Sequence, residues 1–215
     1  MKVLVIGANG QVGRHIVKEL ADSQHDTIAM VRKEEQVNHL KELGASKVVL
    51  ADLEKDFSEA FDEAEAVIFA AGSGGSTGPD KTLTIDLWGS AKAAKYAEKK
   101  GVQRFVQLSS MGTDDPDSGG EEMKPYLVAK RAADEILKAT NLDYTIVRPG
   151  ALSDEDKTGS IEVSSAGFTS MEGRSIPRAD VANILVNVLD RPNTYHKTFE
   201  VLQGNGSTAD ELDSL

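Results

Sequence analysis

Val3-Leu4-Val5-Ile6 followed by Gly7-Ala8-Asn9-Gly10-Gln11-Val12-Gly13 is the stretch that decides the fold. The opening run is short, apolar and β-branched, the pattern of a strand buried on both faces. From Val12 to about Leu20 the apolar residues Val12, Ile16, Val17 and Leu20 recur at a helical period. Between strand and helix the chain must turn sharply and let a pyrophosphate approach, so side chains would be in the way. Gly7, Gly10 and Gly13 supply the turn, the close approach and tight helix–strand packing, and the first N–H groups of the helix face the anion. The spacing is GxxGxxG rather than GxGxxG. Its place between strand and helix makes it a dinucleotide-binding turn, with Gly7, Asn9, Gly10, Gln11, Val12 and Gly13 as cofactor contacts.

Arg32 then selects the cofactor. It follows the second strand, Thr27-Ile28-Ala29-Met30-Val31, at the position that meets the adenosine ribose. A carboxylate there accepts from a free 2′-hydroxyl, whereas a guanidinium suits a 2′-phosphate. Lys33 doubles the charge, so NADP (as NADPH) is the expected cofactor. Asp52, with its neighbour Leu53, follows the third strand (Lys47 to Leu50) and is placed to meet the adenine edge.

A chain of 215 residues suffices for one α/β domain and not for a large second one. Hydrophobic content of 40% and charged content of 27% are those of an ordinary globular protein. No stretch approaches a membrane span, and Met1-Lys2 runs straight into a strand, so no targeting segment is expected. Zero cysteines exclude disulfides, thiolate chemistry and cysteine metal sites. The expected location is cytoplasmic. A net charge of −11 argues against nucleic acid or anionic membranes as partners, leaving a small-molecule substrate. His15, His25, His39 and His196 are scattered without ligand spacing, so no metal is expected.

Strands and helices alternate, which points to a doubly wound, mainly parallel sheet. Helices are expected at Gln36–Leu43, near Phe57–Phe61, at Thr82–Lys100 (stopped by Gly101), at Tyr126–Ala139 and at Ala179–Leu189. Further strands are expected at Ala66–Phe69, Arg104–Leu108, Tyr144–Val147, Ser160–Val163 and Thr198–Leu202, with a polar tail. The glycine-rich loop 72–78 sits where ligands bind in open α/β sheets and reads as a mobile flap beside the cofactor.

YxxxK occurs twice, and position separates the pairs. Tyr96 and Lys100 end a helix that has travelled to the bottom of the sheet, away from the cofactor edge. Tyr126 opens a helix after the strand that ends in Leu108-Ser109-Ser110, and Pro125 suits a first helical turn. Tyr126 and Lys130 then share one helix face. A free tyrosine titrates near 10, and a neighbouring ammonium favours the phenolate. Tyr126 can therefore protonate a carbonyl oxygen as hydride arrives. Lys130 tunes it and binds the nicotinamide ribose. Ser110 holds the substrate oxygen, with Ser109 as alternative catalytic serine and as a cofactor contact.

GANGQVG, the VR after the second strand, AAG at 70–72, LSSMG, YLVAK, DYTIVRPG at 143–150 and RADVA at 178–182 resemble, in order over about residues 3–190, the short-chain dehydrogenase/reductase superfamily. More narrowly they resemble its atypical NAD(P)-binding branch, the NAD-dependent epimerase/dehydratase-like proteins. The resemblance implies a Rossmann sheet of about seven strands, with Ala70, Ala71 and Gly72 along the cofactor and Pro149 and Gly150 closing over the nicotinamide. It also implies a fourth catalytic position on the long central helix, usually Asn. Asp86 matches it here, and an ionised Asp cannot donate as Asn does.

Residues 1–215 thus read as one domain, with residues 151–177 as a small substrate-side cap. Three functions remain open. They are an NADP-dependent reductase of a small carbonyl, quinone or flavin-like acceptor, an NADPH-binding redox sensor without turnover, and a nucleotide-sugar epimerase, disfavoured by the small cap. Oligomeric state is not readable.

Overall fold

The computed structural model describes residues 1–75, 77–169 and 174–215. Strands and helices alternate from the start: β1 (Lys2–Ile6), α1 (Gln11–Ala21), β2 (Asp26–Val31), α2 (Val37–Glu42), β3 (Lys47–Leu50) and β4 (Ala66–Phe69). A short turn α3 (Pro79–Lys81), a π-helical segment (Thr82–Leu87) and α4 (Trp88–Lys100) lead to β5 (Arg104–Leu108), α5 (Gly120–Lys138) and β6 (Asp143–Pro149). The last part holds β7 (Ala151–Ser153), β8 (Ser160–Ser164), β9 (Ser175–Pro177), α6 (Arg178–Asn187), β10 (Lys197–Gln203), β11 (Gly206–Ser207) and α7 (Thr208–Asp213). Among the described residues no helix is long and apolar enough to cross a membrane.

Strands β3-β2-β1-β4-β5-β6-β10 form a parallel array in that order. The order reverses at β1, and in such sheets the ligand crevice opens there, beyond the carboxyl ends of the strands. β8 and β11 add antiparallel strands beyond β10, making a nine-stranded sheet where about seven strands were expected. The extension has a physical reason. It pairs the outer edge of β10, which would otherwise stay open, and buries Ile161 of β8.

Side chains alternate across a strand, so an unbroken apolar run is what two-sided burial requires. In β1, Val3 and Val5 join one core with Ile16, Val17 and Leu20 of α1. Leu4 and Ile6 join the other, with Ala93, Ala94 and Ala97 of α4. Burying each large aliphatic side chain contributes about 1.5–3 kcal/mol.

Three expectations are corrected. α5 begins at Gly120, not Tyr126, because Glu121 and Glu122 stabilise an earlier first turn; Pro125 therefore lies inside the helix. The polar tail carries β11 and α7, whose start is capped by the Ser207 hydroxyl accepting the Asp210 N–H at 3.2 Å. Residues 151–177 are divided: β8 belongs to the main sheet, and among the described residues only β7 and β9 pair apart from it. Residues 170–173 of that segment lie outside the described residues.

Glu63 bridges two strands, pairing with Lys47 of β3 at 2.6 Å and Lys2 of β1 at 3.0 Å. The hydrogen bonds from Lys47 and Lys2 hold its carboxyl down at about 2. A depressed carboxylate contributes its stability above its unfolded pKa and loses it as pH falls toward the folded one. Glu63→Gln should therefore lower the melting temperature slightly at pH 6, with the gap to wild type narrowing as pH falls below about 4. A pH-independent gap would mean that the charge contributes nothing.

Candidate active site

A cleft of about 1120 Å³ runs along the C-terminal edge of the sheet. Gly7, Arg32, Ala51, Ala70, Ser109 and Gly150 all follow strand ends and all line it. The residues that a sequence places far apart meet here because every parallel strand ends on the same side.

Gly7 adopts φ +89°, and a Cβ on it would come within 2.6 Å of the Ala71 nitrogen. The end of β1 is thereby pressed against the end of β4. Gly13 does not line the cleft; a Cβ there would stand 2.1 Å from the Gly7 carbonyl oxygen, so its absence lets α1 close onto the turn. Gly10 precedes α1 in extended conformation with no side-chain cap, and no acidic residue occupies the first turn. The opening N–H groups of α1 therefore have neither a helical partner nor a competing carboxylate. This is the cradle that a pyrophosphate fills, so the residues fit a dinucleotide.

At the β2 end, the N–H groups of Arg32 and Lys33 both donate to Gln36 Oε1 at 3.2 Å. Arg32 lines the cleft and so does Gln36, which sequence reading missed. Lys33 does not; its ammonium pairs with Glu35 at 3.4 Å. Asp52 is also outside the lining and accepts the Glu54 N–H at 2.9 Å, while Ala51 and Leu53 face the cleft.

At the other end, Ser110, Tyr126 and Lys130 line the same cleft. Lys130 is buried and donates from Nζ to the Leu108 carbonyl at 2.7 Å. Ser109 and Ser110 separate by their partners. The buried Ser109 hydroxyl donates to Asp134 Oδ2 at 2.9 Å, whereas the half-buried Ser110 hydroxyl donates to the Met111 carbonyl at 3.1 Å. Tyr96 is elsewhere, edge-on to Phe57 with centroids 4.9 Å apart, and Lys100 pairs with Asp62.

Asp86 is buried within the π-helical segment, a rare geometry that clusters at functional sites. Its Oδ2 accepts the Ser73 N–H at 2.9 Å, which fixes the root of loop 72–78 to the central helix. Thr77 hydrogen-bonds back to Ser73 and Gly74; Ser76 lies outside the described residues.

Beneath the serines runs a buried polar network. Ser90 donates to Gln107 at 2.6 Å, and Gln107 donates to Asp134 Oδ1 at 2.7 Å. Arg148 Nε donates to Asp134 Oδ2 at 3.0 Å; its Nη2 comes equally close to that oxygen but lacks hydrogen-bond alignment. Nη1 pairs with Asp114 at 2.7 Å. Burial pulls the Arg148 guanidinium down, but the Asp134 and Asp114 carboxylates outweigh it and hold it above its ordinary value.

Charge on the cleft differs in sign from charge on the molecule. Arg32, Lys81, Lys130 and Arg178 line it against Asp86 and Glu122, in a chain of net charge −11. An anionic ligand is drawn to the cleft rather than to the rest of the surface. Met111, Met123 and Leu152 add apolar wall. Helix periodicity put the start of α5 too late to find Met123, and Arg178 was visible only as part of RADVA. Among the described residues no group of three or more His, Asp or Glu side chains could hold a metal ion.

A doubly wound sheet with an uncapped glycine turn at its switch point defines a dinucleotide-binding protein. The chain matches the model of the NAD(P)H-binding family over residues 7–192, and it belongs to that family. It is 43% identical to the Bacillus subtilis protein YhfK, named an uncharacterized sugar epimerase, over 100% of both chains. Among solved structures it resembles a candidate NAD-dependent epimerase/dehydratase of Bacillus halodurans (TM-score 0.97, 52% identity, 100% of both chains). It also resembles the oxidoreductase YlbE of Lactococcus lactis (TM-score 0.85, 30% identity, 100% of this chain and 96% of that one).

Proposed function

We propose that this chain is an NADP-dependent oxidoreductase that passes hydride to a small carbonyl, quinone or flavin-like acceptor. One observation carries the reading: Ser110, Tyr126 and Lys130 open on the same cleft as the glycine turn and Arg32. When bound, a reduced nicotinamide would supply the hydride. Ser110 donates a hydrogen bond to the acceptor oxygen and orients it. Tyr126 gives its hydroxyl proton to that oxygen, so that a carbonyl becomes an alcohol. Lys130, one helical turn on, opens on the same cleft and would hold the nicotinamide ribose. The Leu108 carbonyl holds its ammonium in place. Ser109 positions the strand end through Asp134 rather than touching substrate. Asp86, a carboxylate where an amide is usual, holds the Gly72–Ser73 backbone that borders the cofactor.

The name of YhfK raises sugar epimerisation. That reaction needs a lobe to grip the nucleotide sugar. Here β8 is committed to the main sheet, and among the described residues between Pro149 and Arg178 only β7 and β9 pair apart from it. A reductase of a small acceptor fits this segment better.

The test is a fluorescence titration with NADPH and NADH, followed by an acceptor panel. NADPH should bind the more tightly, and Arg32→Asp should weaken it about 10- to 100-fold without weakening NADH. Unchanged NADPH affinity in that variant would place Arg32 in solvent. Tight NADPH binding with no turnover on any carbonyl, quinone or flavin would replace the reductase by a cofactor-binding sensor.

A further inference from the structure

The RADVA segment, residues 178–182, carries two charged side chains that the proposed reaction leaves unused. Asp180 is fully buried and accepts from the Thr158 N–H at 2.9 Å, the Thr158 hydroxyl at 2.8 Å and the Gly159 N–H at 2.7 Å. It ties the loop between β7 and β8 to the start of α6, which is a structural role.

Arg178 is placed differently. It is the first residue of α6 and lines the cleft together with Gly10, Gln11, Ala151 and Leu152. α6 packs along α1, so Arg178 stands across from the turn that opens α1. Its field reaches that helix: burial chiefly, then Lys18, and Arg178 as well, lower His15 in the second turn of α1. Its carboxylate partner is Asp154, 2.8 Å from Nη1 and 79% exposed. A second contact, to the Leu152 carbonyl at 3.4 Å, is long. An ion pair with so exposed a carboxylate holds the guanidinium weakly. A guanidinium fork, by contrast, matches two phosphate oxygens at once.

We propose that Arg178 is a phosphate-binding residue of the cleft, which trades Asp154 for the pyrophosphate of the bound dinucleotide. This rests on the dinucleotide reading above and deepens it. The pyrophosphate is held from two sides, by the α1 backbone and by Arg178. Arg32 reads the 2′-phosphate alone, and Asp154 parks the guanidinium when the cleft holds no dinucleotide.

The experiment compares wild type, Arg178→Gln and Asp154→Asn by calorimetric binding of NADPH, NADH, ADP-ribose and 2′-AMP. Arg178→Gln should weaken NADPH, NADH and ADP-ribose alike, about 10-fold or more, and leave 2′-AMP unchanged. Asp154→Asn should bind NADPH as tightly as wild type or more tightly, because a competing carboxylate is gone. That variant keeps the test decisive if Arg178→Gln fails to fold. Unchanged NADPH affinity in Arg178→Gln overturns the proposal, and so does equal weakening of 2′-AMP, which marks a general disturbance of the cleft. Weaker NADPH binding in Asp154→Asn overturns it too, because the ion pair would then be a staple and not a parking place. A wild type that binds none of these ligands brings down the dinucleotide reading itself, a result distinct from the rest.

Discussion

Tyr126→Phe is expected to lower NADPH-dependent carbonyl reduction by about 10²- to 10⁴-fold, the usual contribution of a positioned general acid. Only one oxygen is removed, and the ring keeps its place on α5, where Tyr126 is half-buried against the cleft. NADPH affinity should change less than about twofold, because in the proposed reading the cofactor is held by the glycine turn and the cationic wall. The loss should therefore fall on kcat rather than on cofactor binding. Flavin reduction needs no proton delivered to a carbonyl oxygen and should survive the substitution. The pair of assays, carbonyl and flavin, separates a damaged acid from a damaged cleft. Unchanged carbonyl turnover in Tyr126→Phe would remove the tyrosine from the mechanism and leave a cleft that only positions its ligands.

Asp134→Ala should destabilise the fold by about 3–5 kcal/mol, the cost of breaking a buried ion pair from one side. Asp134 is fully buried and Arg148 is 2% exposed. Removing the carboxylate leaves the Arg148 guanidinium paired with the exposed Asp114 in place of a buried partner, and it orphans the donors of Gln107 and Ser109. For a domain of this size the melting temperature should fall by about 10 °C, read by calorimetry or urea titration. Replacing both partners by apolar residues, Asp134→Leu with Arg148→Met, should recover part of that loss, because no unpaired charge is then left inside. A single variant as stable as wild type would show that water reaches Arg148 and that the network holds nothing together.

The fold was legible because its signals are local. Val3-Leu4-Val5-Ile6 has no polar position, and a strand of that kind can only be buried on both faces. Gly7 needs a positive φ and Gly13 has backbone where its Cβ would be; both demands arise within a few residues and are written at those positions. The same holds for Tyr126 and Lys130, which helical spacing alone puts on one face.

Other parts depended on partners far along the chain. Ser109 and Ser110 are chemically alike in sequence, and it is Asp134, on a helix 25 residues on, that occupies one hydroxyl and leaves the other beside the cleft. Lys130 is oriented by the Leu108 carbonyl, 22 residues back. Arg178 faces the α1 turn only because α6 packs along α1. Lys33 and Asp52 have the chemistry of binding residues, yet each turned to a neighbour, Glu35 and Glu54, instead of the cleft. The sequence by itself determined the doubly wound sheet and the glycine turn, since backbone sterics and alternating burial act over a few residues. The tertiary structure decided which side chains meet in the cleft, since that depends on which distant backbone closes over each strand end.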